Sequence, residues 1–339
     1  MEYRTLGSAG AVVSTLCLGT MTFGSESDEE TSHKQLDRFL ELGGNLIDTA
    51  NVYSSGESEA IIGRWLAARP GSRDHVVIAT KARFATRSGR NEVGLSRVNL
   101  TAALDASLRR LGVEIVDLYQ AHAWDPLTPI DEVLTFFDDV VRAGKVHYVG
   151  VSNFVGWQLQ KAALMAKHLR LAPIVTLQPQ YNLLQRSVEL ELMQVCLNEG
   201  IGMLPWSPLA GGWLTGKYRR DSAPTGSTRL GEDPERGMEA YAPRNAQERT
   251  WQIVDTVRMI AERNGRSMAQ VALAWLVDRP SVTSVILGAR TVEQLEDNLG
   301  AAEFHLSAGD IEALDQASVP IVDDYPYGLP GVEQRDRTP

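Results

Sequence analysis

The 339-residue sequence predicts an α/β fold, a closed (β/α)8 or TIM barrel with a long loop after its seventh strand, and three observations carry that prediction. Short β-branched runs alternate with longer segments of helical period from the start of the chain to about residue 300, the pattern of successive βαβ units. The turn after the first run, Leu18-Gly19-Thr20-Met21-Thr22-Phe23-Gly24, lacks the Gly-x-Gly-x-x-Gly spacing that the rival doubly wound sheet uses at that place. The connection after the seventh run, 209–244, is far longer than an ordinary βα turn and is rich in Gly, Pro, Arg and Asp.

Taken in order, the strand-like runs fall at 14–18, 45–48, 75–81, 116–122, 146–152, 174–178, 202–206 and 284–288. Segments at 30–42, 58–68, 97–111, 130–143 and 157–167 place apolar residues at helical spacing and often end in glycine, as helices do. The 209–244 connection follows the seventh strand, on the face where barrel enzymes carry their chemistry, and is expected to cover a cofactor or substrate. Residues 1–316 therefore read as one barrel domain, and 317–339, with several prolines and charges, as a loosely packed C-terminal extension.

A composition of 43% hydrophobic and 22% charged residues is that of a chain with a substantial core. The net charge of -10 is spread without a Lys/Arg tract, which argues against nucleic acid as a partner, and no apolar stretch approaches a membrane span. The N-terminus lacks the charged and apolar regions of a signal peptide. Cys17 and Cys196 form no CxxC pair and read as buried core thiols, so a cytoplasmic location is expected. His33, His75, His147, His168 and His305 are scattered without ligand spacing, and no metal site is expected.

Chemistry gathers at the strand ends. Asp48 ends the second run, Lys81 the third and His122 the fourth, with Tyr53 just beyond Asp48, so all four are expected on one rim of the barrel. Singly, an Asp or Tyr in a βα loop is more often a cap or surface residue; four on successive strand ends are harder to dismiss. A tyrosine hydroxyl titrates near pH ~10, and an adjacent ammonium is expected to lower it. Lys81 would supply the ammonium, Asp48 would hold Lys81, Tyr53 would deliver a proton and His122 would donate to a carbonyl oxygen.

In Asp48-Thr49-Ala50-Asn51-Val52-Tyr53, Thr80-Lys81, Gln120-Ala121-His122, Gly150-Val151-Ser152-Asn153-Phe154 and Gly288-Ala289-Arg290-Thr291 the sequence resembles the aldo-keto reductase superfamily, to about residue 315. Met21-Thr22-Phe23-Gly24 and Trp206-Ser207-Pro208-Leu209 are similar to the branch of bacterial reductases and potassium-channel β subunits. The resemblance implies an NADP(H)-dependent reductase of aldehydes or ketones with Asp48, Tyr53, Lys81 and His122 as its catalytic set. It implies that Gly19, Thr20, Met21 and Asp48 border the cofactor, that Ser152, Asn153 and Gln178 hold the nicotinamide carboxamide, and that Trp206 stacks on the ring. Ser207, Leu209, Gly211 and Lys217 are implied along the pyrophosphate. Gly288 opens the last phosphate-binding turn, where Arg290 would take the 2′-phosphate and Gln294 and Asn298 the adenine. The bland alternatives are core packing for Trp206, solvation for Lys217 and a surface ion pair with Glu293 for Arg290.

Phe23, Phe84 and Trp124 are expected as apolar walls of a substrate pocket, beside Tyr53 and His122. Related reductases act on keto-deoxysugar nucleotides or on generic aldehydes and diketones, and the motifs do not choose between them. Two other functions fit the same residues. One is an NADPH-binding redox-sensing subunit, ranked lower because no segment precedes Met1-Glu2-Tyr3-Arg4 to serve as a tethered blocking peptide. The other is an aldolase with Lys81 as imine former. Oligomeric state and reaction direction are left open.

Overall fold

The computed structural model of the chain describes residues 1–86, 88–226 and 228–335. Two short antiparallel strands come first, β1 (Tyr3–Thr5) and β2 (Val12–Ser14), paired from Tyr3↔Ser14 to Thr5↔Val12. The barrel strands follow: β3 (Leu16–Gly19), β4 (Leu46–Asp48), β5 (Val77–Ala82), β6 (Val116–Ala121), β7 (Val146–Ser152), β8 (Ile174–Gln178), β9 (Gly202–Met203) and β10 (Val285–Leu287). They are parallel and run in the spatial order β10-β3-β4-β5-β6-β7-β8-β9. Between the two outermost strands, Thr283 N–H donates to Met203 O (2.9 Å) and Ile286 N–H to Pro205 O (3.0 Å), so backbone bonds close the ring. This is the (β/α)8 barrel that the alternation predicts.

The boundaries shift for local reasons. Ser14 belongs to the hairpin, and His75 ends a 3-10 turn (Ser72–His75) before β5 begins. The seventh barrel strand stops at Met203, leaving Trp206 as a single bridge to Gln180, because Pro205 has no N–H to continue a ladder.

Strand alternation sorts the side chains, save at Val175, the extra residue where the register between β7 and β8 shifts. Leu16, Leu18, Ile47, Ile78, Tyr119, Val149 and Leu177 point out into the layer shared with the helices. Cys17, Leu46, Ala79, Leu118, Val175, Leu204 and Ile286 fill the interior, closed at its N-terminal end by Leu6 and Val13 of the hairpin. Gly7, at φ +59, lets the hairpin turn lie against Val175 O and the Gly202 amide, where a Cβ has no room. Two residues beyond Leu46, Ala79 and Leu118, at the C-terminal end, stand the buried polar residues Asp48, Lys81 and Gln120, and the polar layer that begins there is the site described below.

The helices are fixed by their ends. Asp28 accepts from Thr31 N–H at the start of Glu29–Glu41, and Ser96 accepts from Asn99 N–H before Arg97–Leu111, which stops at left-handed Gly112. Cys17 and Cys196 are both buried free thiols. No helix among the described residues is long and apolar enough to cross a membrane.

The 209–244 connection carries short helices of its own, Ala210–Thr215, Arg229–Glu232, Gly237–Glu239 and Tyr241–Asn245. Trp213 anchors it, stacked on Tyr241 (centroids 5.5 Å) and edge-on to Trp251 of the helix Glu248–Asn264 (5.6 Å). A buried tryptophan removes roughly 200 Å² from water, on the order of 5 kcal/mol at about 25 cal/mol per Å². The connection is therefore a belt fastened to the barrel wall.

Candidate active site

The polar layer at the C-terminal mouth begins with Lys81. It is fully buried, its Nζ donating to Asp48 Oδ2 (2.6 Å), Thr49 O (2.7 Å) and Tyr53 Oη (3.2 Å). Gln178 Nε2 donates to the other Asp48 oxygen (2.8 Å). β4, β5 and β8 thus each contribute one inward residue, and the ladder runs on past the strands through Asn51 N–H to Lys81 O and His122 N–H to Ala82 O, both 3.0 Å.

Tyr53 is placed by a strained turn. Ser54 and Ser55 take positive φ (47° and 56°), and Ser54 Oγ donates to Phe23 O (2.8 Å), bolting the turn to the loop after β3. The Tyr53 and His122 rings meet edge to face at 5.9 Å, and Phe84 lies edge to face on His122 at 4.8 Å. The structure therefore brings Asp48, Tyr53, Lys81, His122 and Phe84 together.

Burial governs the ionisation of this group. For Lys81, burial opposes its charge but is outweighed by Asp48 and Tyr53, so its pKa is raised and it stays an ammonium. Burial, opposed by Lys81 and Gln178, raises Asp48. Burial also raises Tyr53, and the opposing charge of Lys81 does not reverse it. The depression of Tyr53 expected from its neighbour alone is thus corrected: desolvation of the phenolate exceeds the ion–ion gain, and the hydroxyl is held protonated. His122 is pushed down to about 2 by burial, then by Lys81 and Arg83, so it is neutral. Its Nδ1 is buried and has no hydrogen-bond partner among the described residues. A raised Lys81 is the opposite of what imine formation needs, which counts against the aldolase reading.

Next to this group, Ser152 Oγ donates to Gln178 O (2.8 Å), and Asn153 Nδ2 donates to His122 O and Ser152 Oγ (both 3.0 Å). Trp206 Nε1 donates to Asn153 Oδ1 (3.1 Å), and Asn153 has φ 55°, a conformation asparagine tolerates. Trp206 is partly exposed and also packs against the interior cluster, so it is both a core residue and part of the mouth. On the first-strand side, Thr20 Oγ1 bonds to Asp48 O (3.0 Å). A Cβ on Gly19 would meet Ile286 Cγ2 at 2.6 Å and Leu287 O at 2.8 Å, so only glycine fits there, and Met21 is exposed beside it.

A second polar group lies under the belt. Ser207 and Gly211 take positive φ, and Leu209 O accepts from Gly212 N–H (2.9 Å). The Lys217 stem lies against Gly212, with Nζ 5.6 Å from the Tyr218 ring; burial and then Arg290 and Arg229 lower its pKa. Gly288 precedes Arg290, whose N–H donates to Gln294 Oε1 (2.9 Å), while Asn298 Nδ2 donates to Gly288 O (3.4 Å). Arg290 Nε donates to Glu26 Oε2 (2.7 Å), and its NH1 and NH2 donate to Glu232 Oε1 and Oε2 (2.8 and 2.9 Å). Arg290 thus takes Glu26 and Glu232 as ion partners, both distant in sequence.

Some expectations move. Phe23, assigned to the substrate wall, has 0% exposure and packs into the outer core, so it does not face the mouth. Trp124 does stand near the rim, partly buried, edge to face with buried Phe154 (5.2 Å) and with Trp157 (5.3 Å). Trp157, 59% exposed, was missed, although its place just after Ser152-Asn153 was a signal. Arg83, which stacks on Phe84 at 5.0 Å, was also missed. So was Arg229, whose buried Nε has no hydrogen-bond partner among the described residues and whose pKa is lowered by burial, a cation kept inside the belt beside Lys217.

The fold is a (β/α)8 barrel that gathers Asp48, Lys81, Tyr53 and His122 at the C-terminal mouth. The chain belongs to the aldo/keto reductase family, whose model matches residues 15–319. It is 39% identical to the uncharacterized oxidoreductase YrpG of Bacillus subtilis (strain 168), over 90% of this chain and 92% of that one. It is 33% identical to versiconal hemiacetal acetate reductase of Aspergillus parasiticus, over 94% and 98%. It is 35% identical to a probable voltage-gated potassium channel subunit beta of Arabidopsis thaliana, over 89% and 92%.

Proposed function

We propose that this protein reduces an aldehyde or ketone to an alcohol with NADPH. The observation that carries the reading is the Lys81 ammonium held by Asp48, Thr49 O and Tyr53 Oη within 2.6–3.2 Å in the barrel mouth. The donor set fits a nicotinamide dinucleotide: the buried Arg229 Nε and the buried His122 Nδ1 have no hydrogen-bond partner among the described residues. When bound, the cofactor supplies the hydride to the carbonyl carbon.

The chain's own groups then have defined tasks. Tyr53, held protonated, donates its proton to the developing alkoxide, and Lys81 stabilises the phenolate that remains. Asp48 and Gln178 fix Lys81 in place. Neutral His122 orients the carbonyl by hydrogen bonding without taking the proton first. Ser152, Asn153, Gln178 and Trp206 would hold the nicotinamide, with Gly19, Thr20 and Met21 along its edge. Ser207, Leu209, Gly211, Lys217 and Arg229 would serve the phosphates; Gly288, Arg290, Gln294 and Asn298 would serve the adenosine end. Phe84, Trp124 and Trp157 would shape an apolar entrance suited to an aldehyde or ketone with an uncharged, partly aromatic body. Residues 1–316 act as the catalytic domain and 317–339 as an appended tail, working in the cytoplasm.

The test is a fluorescence titration with NADPH followed by a carbonyl panel monitored at the nicotinamide absorbance. Saturable binding with turnover of at least one carbonyl supports the reading; no binding removes it. The likeness to a probable potassium channel subunit beta favours a second reading, an NADPH-binding sensor in a larger complex. Binding without turnover across the panel, with a stable partner recovered from cells, would support that instead.

A further inference from the structure

Resting on the cofactor reading above, we propose that Glu232 sets the balance between NADH and NADPH by holding the part of Arg290 that a 2′-phosphate needs. An arginine binds phosphate best with both terminal nitrogens of its planar fork directed at two oxygens. In this chain that fork is engaged by the two Glu232 oxygens at 2.8 and 2.9 Å, while Nε is engaged by Glu26 at 2.7 Å. The second Glu26 oxygen accepts from Arg236 NH1, so the two carboxylates also tie the belt to the loop after β3.

The arrangement is built into the fold. Ser27 Oγ donates to Arg290 O (3.1 Å) and Thr22 Oγ1 to Ala289 O (3.0 Å), which sets the loop bearing Glu26 beside Arg290. Glu232 ends the short helix Arg229–Glu232, whose start is capped by Thr228 accepting from Gly231 N–H. The Arg290 and Glu26 side chains are largely buried, whereas Glu232 is 47% exposed. Glu232 is therefore the carboxylate that can be displaced or swing aside.

The two nucleotides meet this pair differently. A phosphate monoester carries roughly -1.5 to -2 charges near neutrality and must displace Glu232 or sit against it. A ribose 2′-hydroxyl is neutral and can donate to a carboxylate, the interaction by which acidic residues select NAD in dinucleotide folds. Arg290 favours the phosphate and Glu232 the hydroxyl, so the intact pair accepts both nucleotides.

The experiment measures the dissociation constants of NADPH and NADH by fluorescence titration on wild type and Glu232→Gln, with thermal melts to verify folding. The partly exposed position makes misfolding a minor concern, and Glu232→Ala serves as a second variant. The expected result is that wild type binds both nucleotides and that either variant shifts the ratio toward NADPH by about tenfold or more, the scale of one charge-assisted contact. Both nucleotides binding with a ratio unchanged within about twofold, or shifted toward NADH, overturns the role of Glu232 and leaves the cofactor reading intact. Wild type binding neither nucleotide overturns the cofactor reading, and this proposal with it.

Discussion

Removing the Lys81 ammonium tests the physics of the site apart from its chemistry. Lys81→Met keeps most of the side-chain volume but leaves Asp48, with 2% side-chain exposure, as a carboxylate facing Gln178 and an apolar methyl. Deleting one partner of a buried ion pair costs about 3–5 kcal/mol. With an unfolding entropy of about 2.1 cal/mol/K per residue, the 339-residue chain loses roughly 0.7 kcal/mol of stability per degree at its midpoint. The melting temperature should therefore fall by about 4–7 °C. Asp48→Asn alone should also destabilise, because it strands a buried ammonium. The double variant should lose less than the sum of the two, since it removes both charges. Circular dichroism melts of the four proteins give the cycle. An unshifted melt for Lys81→Met, or strictly additive losses, would refute a pair that holds itself in place by charge.

Further outcomes follow from the same geometry. Arg290→Ala should weaken NADPH by about 10–100-fold, the scale of hydrogen bonds to a charged group, and change NADH far less; titration of both nucleotides checks this. His122 has a folded-state pKa lowered to about 2, so the unfolded chain binds its proton first as pH falls. Its contribution is complete above an ordinary histidine pKa and is lost progressively from about pH 6.5 downward, and His122→Asn should flatten that part of the stability curve. Equal acid slopes for the two proteins would contradict a buried neutral imidazole. Because Tyr53 is raised, kcat/KM for reduction should hold on the alkaline side until the pH passes about 10. A limb assigned to Tyr53 between about pH 7 and 9 would contradict the burial argument.

Period-two alternation made much of the site readable from the sequence. It puts Asp48, Lys81, His122, Ser152 and Gln178 on the inner face at strand ends, and the structure gathers them there. Phe23 failed because its place in the turn after β3 lies beyond the ladder, where alternation no longer says which way a side chain points. The partners of Arg290 were unreadable for another reason: Glu26 lies 264 residues away and Glu232 58 residues away, and no local pattern marks either. The ionisation of Tyr53 depended on how completely the mouth is desolvated, a property of the assembled barrel. The belt read as a cover with no sign of what anchors it, because its Gly, Pro and charge content hid the Trp213–Tyr241 stack that pins it.

The most direct test of the central claim is single-turnover carbonyl reduction by Tyr53→Phe, with NADPH affinity measured on the same protein. The account predicts binding within about twofold of wild type and reduction slowed by about 10²–10⁴-fold, the contribution of a positioned general acid. Unchanged reduction with binding intact would contradict Tyr53 as the proton donor.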